Sequence, residues 1–175
     1  MRLWIAAGAA MLSVAPLHAT GLDNVRSLDL HIQGAIAQHC QMGEIDNVDF
    51  GDITRPGLGV RTSVRLNCNI PFTMGIRAQN GGLAHAQMPT GQGPFSGTLP
   101  YRMAVRIPVR RPQSATIERA FESRELSGNG RTISSEGGIA VDGLALSVSL
   151  GPPPGEAGLL AGNYGETIEI TIAPD

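Results

Sequence analysis

The chain has no lysine; all 13 of its basic side chains are arginine. Against 15 acidic residues they leave a formal net charge of −2, far from the strong basic excess with which a nucleic-acid-binding domain meets phosphate. Aromatic residues make up only 4% of the chain, and the one tryptophan is Trp4. The core must therefore be aliphatic, and a sugar site built on aromatic platforms has little to draw on. No apolar run is long enough to cross a bilayer comfortably as a helix, so membrane insertion is not expected. Cysteine is limited to Cys40 and Cys68. Zinc competes weakly for this pair, because no histidine stands at ligand spacing and His39 is too close to Cys40 to complete a tetrahedron easily.

What is present begins with residues 1–19. Arg2 supplies a positive start, residues 3–14 are apolar or small, and the stretch ends at Ala19. That is the layout of a cleaved signal peptide. Export implies an oxidising compartment, where two cysteines most often pair. Removal of 1–19 takes Trp4 and Arg2 with it and leaves about 156 residues, enough for one domain.

The dominant period of the rest is two. Leu28, Leu30 and Ile32 alternate with polar residues, as do Val64, Leu66 and Cys68, and Met74, Ile76 and Ala78. Met103, Val105, Ile107 and Val109 alternate with Arg102, Arg106 and Arg110; Leu144, Leu146, Val148 and Leu150 form a further series; Ile168, Ile170 and Ile172 form the last. Each pattern predicts a half-buried strand. Turn signals separate them, among them Arg55-Pro56-Gly57, Asn80-Gly81-Gly82 and Gly151-Pro152-Pro153-Pro154-Gly155. The stretch 115–126 fits either a short helical turn or a strand. The predicted fold class is all-β, an immunoglobulin-like antiparallel β-sandwich with one disulfide, Cys40–Cys68.

Catalytic patterns are missing. His31, His39 and His85 each stand alone and read as surface histidines. There is no GxSxG elbow. Residues 91–97 resemble a phosphate loop only in glycine content. Asp46, Asp49 and Asp52 lack the spacing of a calcium loop and read as turn carboxylates. Ser134 and Ser135 have no nearby histidine. No catalytic, cofactor-binding or metal-binding residue is assigned, and enzymatic activity is not expected. Arg102, Arg106, Arg110 and Arg111 place charge on one strand's outer face. That row suits contact with an anionic surface, or protection of a strand against edge-to-edge aggregation; the second reading is preferred.

Several short stretches occur in order: Cys40, Asp49-Phe50-Gly51, Cys68-Asn69-Ile70-Pro71-Phe72, Asn80-Gly81-Gly82-Leu83, Leu99-Pro100-Tyr101-Arg102, and Ala161-Gly162-Asn163-Tyr164-Gly165-Glu166-Thr167-Ile168. The ordered set resembles the spore coat protein U domain family, over about residues 28–173. Members of that family include subunits of archaic chaperone–usher pili. The resemblance implies a sandwich that lacks one strand, with a groove filled first by a periplasmic chaperone and then by the N-terminal extension of another subunit, by β-strand addition. It implies as partners the chaperone, an outer-membrane usher and other pilin subunits, this chain itself among the candidates, and a location in the periplasm in transit and then at the cell surface or secreted. On this basis residues 20–27 form the N-terminal extension and 28–175 the domain. The candidate donor strand runs over 20–30, with Leu22, Val25, Leu28 and Leu30 as its apolar members, and Ile168, Ile170 and Ile172 form the candidate chaperone-contacting strand. The expected function is that of a structural subunit of a secreted surface fibre (a pilus or fimbria) serving adhesion or biofilm formation. The alternative is a free-standing secreted coat or matrix protein of the same fold.

Overall fold

The computed structural model describes residues 27–175. The signal peptide assigned to 1–19, most of the extension over 20–27, and Leu22 and Val25 lie outside the described residues. The chain divides into two compact units, Met1–Ala35 and Ile36–Asp175. Within the first, residues 27–35 form no strand. Leu28 is 93% exposed, Leu30 78% and Ile32 80%. The strand expected over these residues is therefore not formed. Their alternation suits a pleated strand, but among the described residues no neighbouring strand gives their amides a ladder and their side chains stay exposed.

The second unit is built from twelve strands: β1 (Cys40–Met42), β2 (Gly59–Val64), β3 (Leu66–Cys68), β4 (Phe72–Ala78), β5 (Leu83–His85), β6 (Thr98–Leu99), β7 (Tyr101–Arg111), β8 (Gln113–Glu122), β9 (Arg131–Ser134), β10 (Leu144–Leu150), β11 (Tyr164–Gly165) and β12 (Ile168–Pro174). One 3-10 turn, Ser123–Leu126, follows β8. The stretch 115–126, open to two readings in the sequence, thus contains both: most of a strand and then a helical turn. The four sheets have the orders β2-β10-β7-β8, β12-β4-β9, β11-β5-β6 and β1-β3, and every ladder between them is antiparallel.

The period-two pattern explains the layering. Tyr101, Met103, Val105, Ile107 and Val109 point inward from β7 and are buried, while Arg102, Arg106 and Arg110 point out. Phe72, Met74, Ile76 and Ala78 of β4 are buried in the same core. Each such side chain stabilises the fold by roughly 1.5–3 kcal/mol relative to exposure. The result is the antiparallel β-sandwich expected from the sequence. At Arg65 the chain changes sheets: Val64 pairs with Leu144 in the four-stranded sheet, and Leu66 pairs with Met42 in the small one.

Cys40 and Cys68 are bonded and stand directly opposite one another in the β1–β3 register. Cys40 begins β1, the first strand of this unit.

The arginine row lies on β7, an inner strand of its sheet, so it shields no open edge. Across the ladder Arg102 meets Glu122 at 3.6 Å and Arg106 meets Glu118 at 3.2 Å, all four side chains well exposed. Exposed pairs of this kind contribute little, about 0–1 kcal/mol.

Candidate functional site

Of the sheet edges left unpaired among the described residues, two border the same opening. β2 is bonded on one side only, to β10, and β12 on one side only, to β4. Between these edges the sandwich opens into a groove with a cavity of about 490 Å³. Its lining alternates as the strands do: Val60 and Thr62 from β2, Leu146 and Val148 from β10, Met103 and Tyr101 from β7, Ile168 and Ile170 from β12. The irregular segment 45–53 forms a further wall, with Phe50 and Ile53 packed on the core and Ile45 and Val48 exposed.

The burial of β12 shows what the groove lacks. Ile168, Ile170 and Ile172 are only half-buried, whereas their ladder partners Ala78, Ile76 and Met74 on β4 are closed off from solvent. A strand with one neighbour and a half-covered apolar face leaves both main-chain groups and side chains free for an added strand.

One end of the groove is polar and tightly tied. Glu166 accepts hydrogen bonds from the main-chain N–H groups of Asn80 (3.0 Å), Gly82 (2.9 Å) and Thr167 (2.8 Å). It thereby fixes the Asn80-Gly81-Gly82 turn to the start of β12. Tyr164 donates to the carbonyl of Leu160 at 2.6 Å, and partial burial pushes its hydroxyl pKa up against the opposing effect of that bond. Beside it, Tyr101 is 1% exposed, and its hydroxyl has no hydrogen-bond partner among the described residues. Burial, and secondarily the charge of Glu166, holds the Tyr101 pKa far above its ordinary value, so this group stays a proton donor.

The histidines fall in three different settings. His31 meets Gln33, and His39 meets Asn67, both at exposed positions. His85 was expected at the surface but is buried on β5. Its Nδ1 accepts from the N–H groups of Gln87 (3.2 Å) and Met88 (3.1 Å), which leaves Nε2 to donate to the carbonyl of Ala161 at 3.1 Å. Its ring stands edge-on to Tyr164, with centroids 5.3 Å apart. Gly162, at φ 153°, passes so close that a Cβ there would collide with the imidazole. The tripeptide Leu83-Ala84-His85 is too short to reveal this role by periodicity.

Other residues singled out in the sequence make turns. Asp49 accepts from the Gly51 N–H and Asp52 from the N–H and hydroxyl of Thr54; those Thr54 bonds lower the Asp52 pKa. The Ser135 hydroxyl is buried and accepts from the Phe72 N–H; Ser134 accepts from that of Glu136. Arg111 and Arg119 both meet Glu136. The structure thus brings Ile168 and Ile170 of the candidate C-terminal strand into the groove, along with Val60, Thr62, Tyr101 and Glu166, which sequence reasoning did not single out as site residues. No group of three or more histidine, cysteine or carboxylate side chains suited to a metal ion occurs among the described residues. No helix among them is long and apolar enough to cross a membrane. The chain matches no protein-family model and no curated protein.

Proposed function

We propose that this protein is an exported structural subunit that polymerises into a surface fibre by strand addition, residues 28–36 of one copy filling the groove between β2 and β12 of the next. The observation that carries the reading is a complementarity within one sequence. The groove carries a row of apolar side chains, among them Val60, Leu146, Val148, Ile168 and Ile170, bordered by polar ones, with an unpaired strand edge on each side. Residues 28–36 are an exposed stretch with apolar side chains at Leu28, Leu30, Ile32 and Ile36, every second position except Gly34. An extended segment with that period presents one face to a groove and both rows of main-chain groups to its edges. The donor segment is thereby displaced toward the C-terminus from the 20–30 assigned in the sequence. Leu28 and Leu30 stay in it, and Ile32 and Ile36 join them.

The disulfide supports export, since such bonds persist in oxidising compartments. The resemblance to the spore coat protein U domain family supports assembly through a periplasmic chaperone and an outer-membrane usher, with adhesion or biofilm formation as the fibre's role. The chaperone's task is physical: an open groove leaves Ile168 and Ile170 half-wet, and a chaperone strand covers them until the next subunit arrives.

The test compares the exported chain with a Leu30→Asp/Ile32→Asp variant. Both positions are exposed, so the fold and its melting temperature stay unchanged. The parent is expected to form multimers that survive SDS without heating, and the variant to remain monomeric by light scattering. A stable parent monomer, or a variant that multimerises equally well, contradicts the reading.

A further inference from the structure

We propose that residues 44–53 form a lid that closes over the incoming strand, with Ile45 and Val48 as the two side chains it presses onto that strand. The inference rests on the reading that residues 28–36 of a second copy occupy the groove. It starts from an anomaly. Ile45 and Val48 line the groove, yet they are 40% and 46% exposed. Large aliphatic side chains that look onto a cavity and stay in solvent contribute their full burial energy only when an occupant covers them.

The stretch is tied at its ends and loose between them. β1, from which it springs, is held to β3 by its register pairs and the Cys40–Cys68 bond, and the Gly43 N–H donates to the Arg65 carbonyl at 2.8 Å. At the far end the Leu58 carbonyl accepts from the Leu150 N–H. Among the described residues, no main-chain hydrogen bond joins 44–57 to a strand. Two turns internal to the stretch shape it: Asp49 accepts from the Gly51 N–H and Asp52 from that of Thr54. Phe50 and Ile53, one within each turn, pack half-buried on the core. A segment held by two side chains and so few main-chain bonds opens and closes at little cost.

Ile45 and Val48 stand between the Gly43 tie and the Phe50 anchor, on the loosest part of the stretch. The cavity they line is the one that Val60, Leu146, Ile168 and Ile170 line, so a strand that fills it meets both walls. Its main chain pairs with the β2 and β12 edges, and the lid settles on it without giving up any ladder of its own. Covering the exposed part of each side chain corresponds to about three- to tenfold in affinity. The lid closes on a strand already seated, so the gain falls on the dissociation rate. The disulfide thereby gains a second effect: it fixes the strand from which the lid springs.

The experiment uses the full chain carrying Leu30→Asp/Ile32→Asp as acceptor and a fluorescent synthetic peptide of residues 27–37 as probe. Adding Ile45→Ser or Val48→Ser to the acceptor is expected to leave its melting temperature unchanged, since both side chains are exposed, and to speed peptide release about three- to tenfold at each position. Met88→Ser, at a position 41% exposed that does not line the groove, is expected to leave release unchanged. Amide exchange over 44–53 is expected to slow when the peptide binds. Release rates equal with and without Ile45→Ser and Val48→Ser, or exchange over 44–53 that quickens on binding, overturns the lid while the groove reading stands. An acceptor with its lid unsubstituted that binds no peptide overturns the groove reading and this inference with it.

Discussion

Removing the Cys40–Cys68 bond should cost this fold several kilocalories and open one wall of its groove. The bond closes a loop with a sequence separation of 28. For a loop of that length the chain-entropy relation gives about 3–4 kcal/mol at room temperature. The structure indicates where the loss concentrates. β1 has only three register pairs with β3, and Cys40–Cys68 is one of them. Directly after β1 come residues 43–58, which form no strand and include the 45–53 wall. Few main-chain bonds tie this stretch down: Gly43 donates to Arg65, Arg55 to Asp52, and at its far end the Leu58 carbonyl accepts from Leu150. In a Cys40→Ala/Cys68→Ala variant the urea midpoint is expected to fall by about 2 M, taking a slope near 1.5 kcal/mol/M. The melting temperature should drop on the order of 10 °C for a unit of this size. Refolding the unsubstituted chain under reducing conditions should give a similar midpoint, which separates the missing bond from the missing sulfur volume. Amide exchange should accelerate most over 40–53 and least in β4 and β7. A midpoint shift below about 0.5 M, or uniform acceleration across all strands, would refute the reasoning.

Three other perturbations follow from the geometry. Glu166→Gln replaces one of two acceptor oxygens facing three N–H groups with a donor, and should cost about 1–3 kcal/mol, read as a lower urea midpoint; an unchanged midpoint would show that the 80–82 turn holds itself. His85→Ala strands the Gln87 and Met88 N–H groups and the Ala161 carbonyl and removes the edge contact with Tyr164, so a loss of about 2–4 kcal/mol is expected, with amide exchange rising over 86–97 and 158–164. Arg106→Ala, by contrast, removes only an exposed cross-strand pair and should change stability by less than about 1 kcal/mol in thermal melts; a larger loss would mean the outer face is more tightly organised than its exposure suggests.

Which features could be read from the sequence follows from how local their causes are. β4 and β7 each bury one face along seven or more residues, β10 and β12 turn one apolar face inward over seven, and their alternation located all four within a few positions. The disulfide could be read from the two cysteines together with the export expected from residues 1–19. Residues 28–32 misled because they carry the same alternation without a neighbour: periodicity reports that a segment can lie on a pleated surface, not that its own chain supplies one. That error carried the main functional clue, since an apolar strand pattern left in solvent calls for an acceptor elsewhere. The groove itself depends on which edges remain unpaired, a property of β2 and β12 set by topology. The ties made by Glu166 and His85 join residues about 80 positions apart through main-chain groups, and side-chain identity alone carries no trace of them.

The most direct measurement places a benzoylphenylalanine photo-crosslinker at position 32 of the full chain and maps the adducts by mass spectrometry. The expected result is a crosslink between two copies, falling on groove residues such as Val60, Thr62, Leu146, Ile168 or Ile170. Adducts only within one copy, or between copies on the outer face around Arg102 and Arg106, would contradict the assignment of residues 28–36 as the strand that fills the groove.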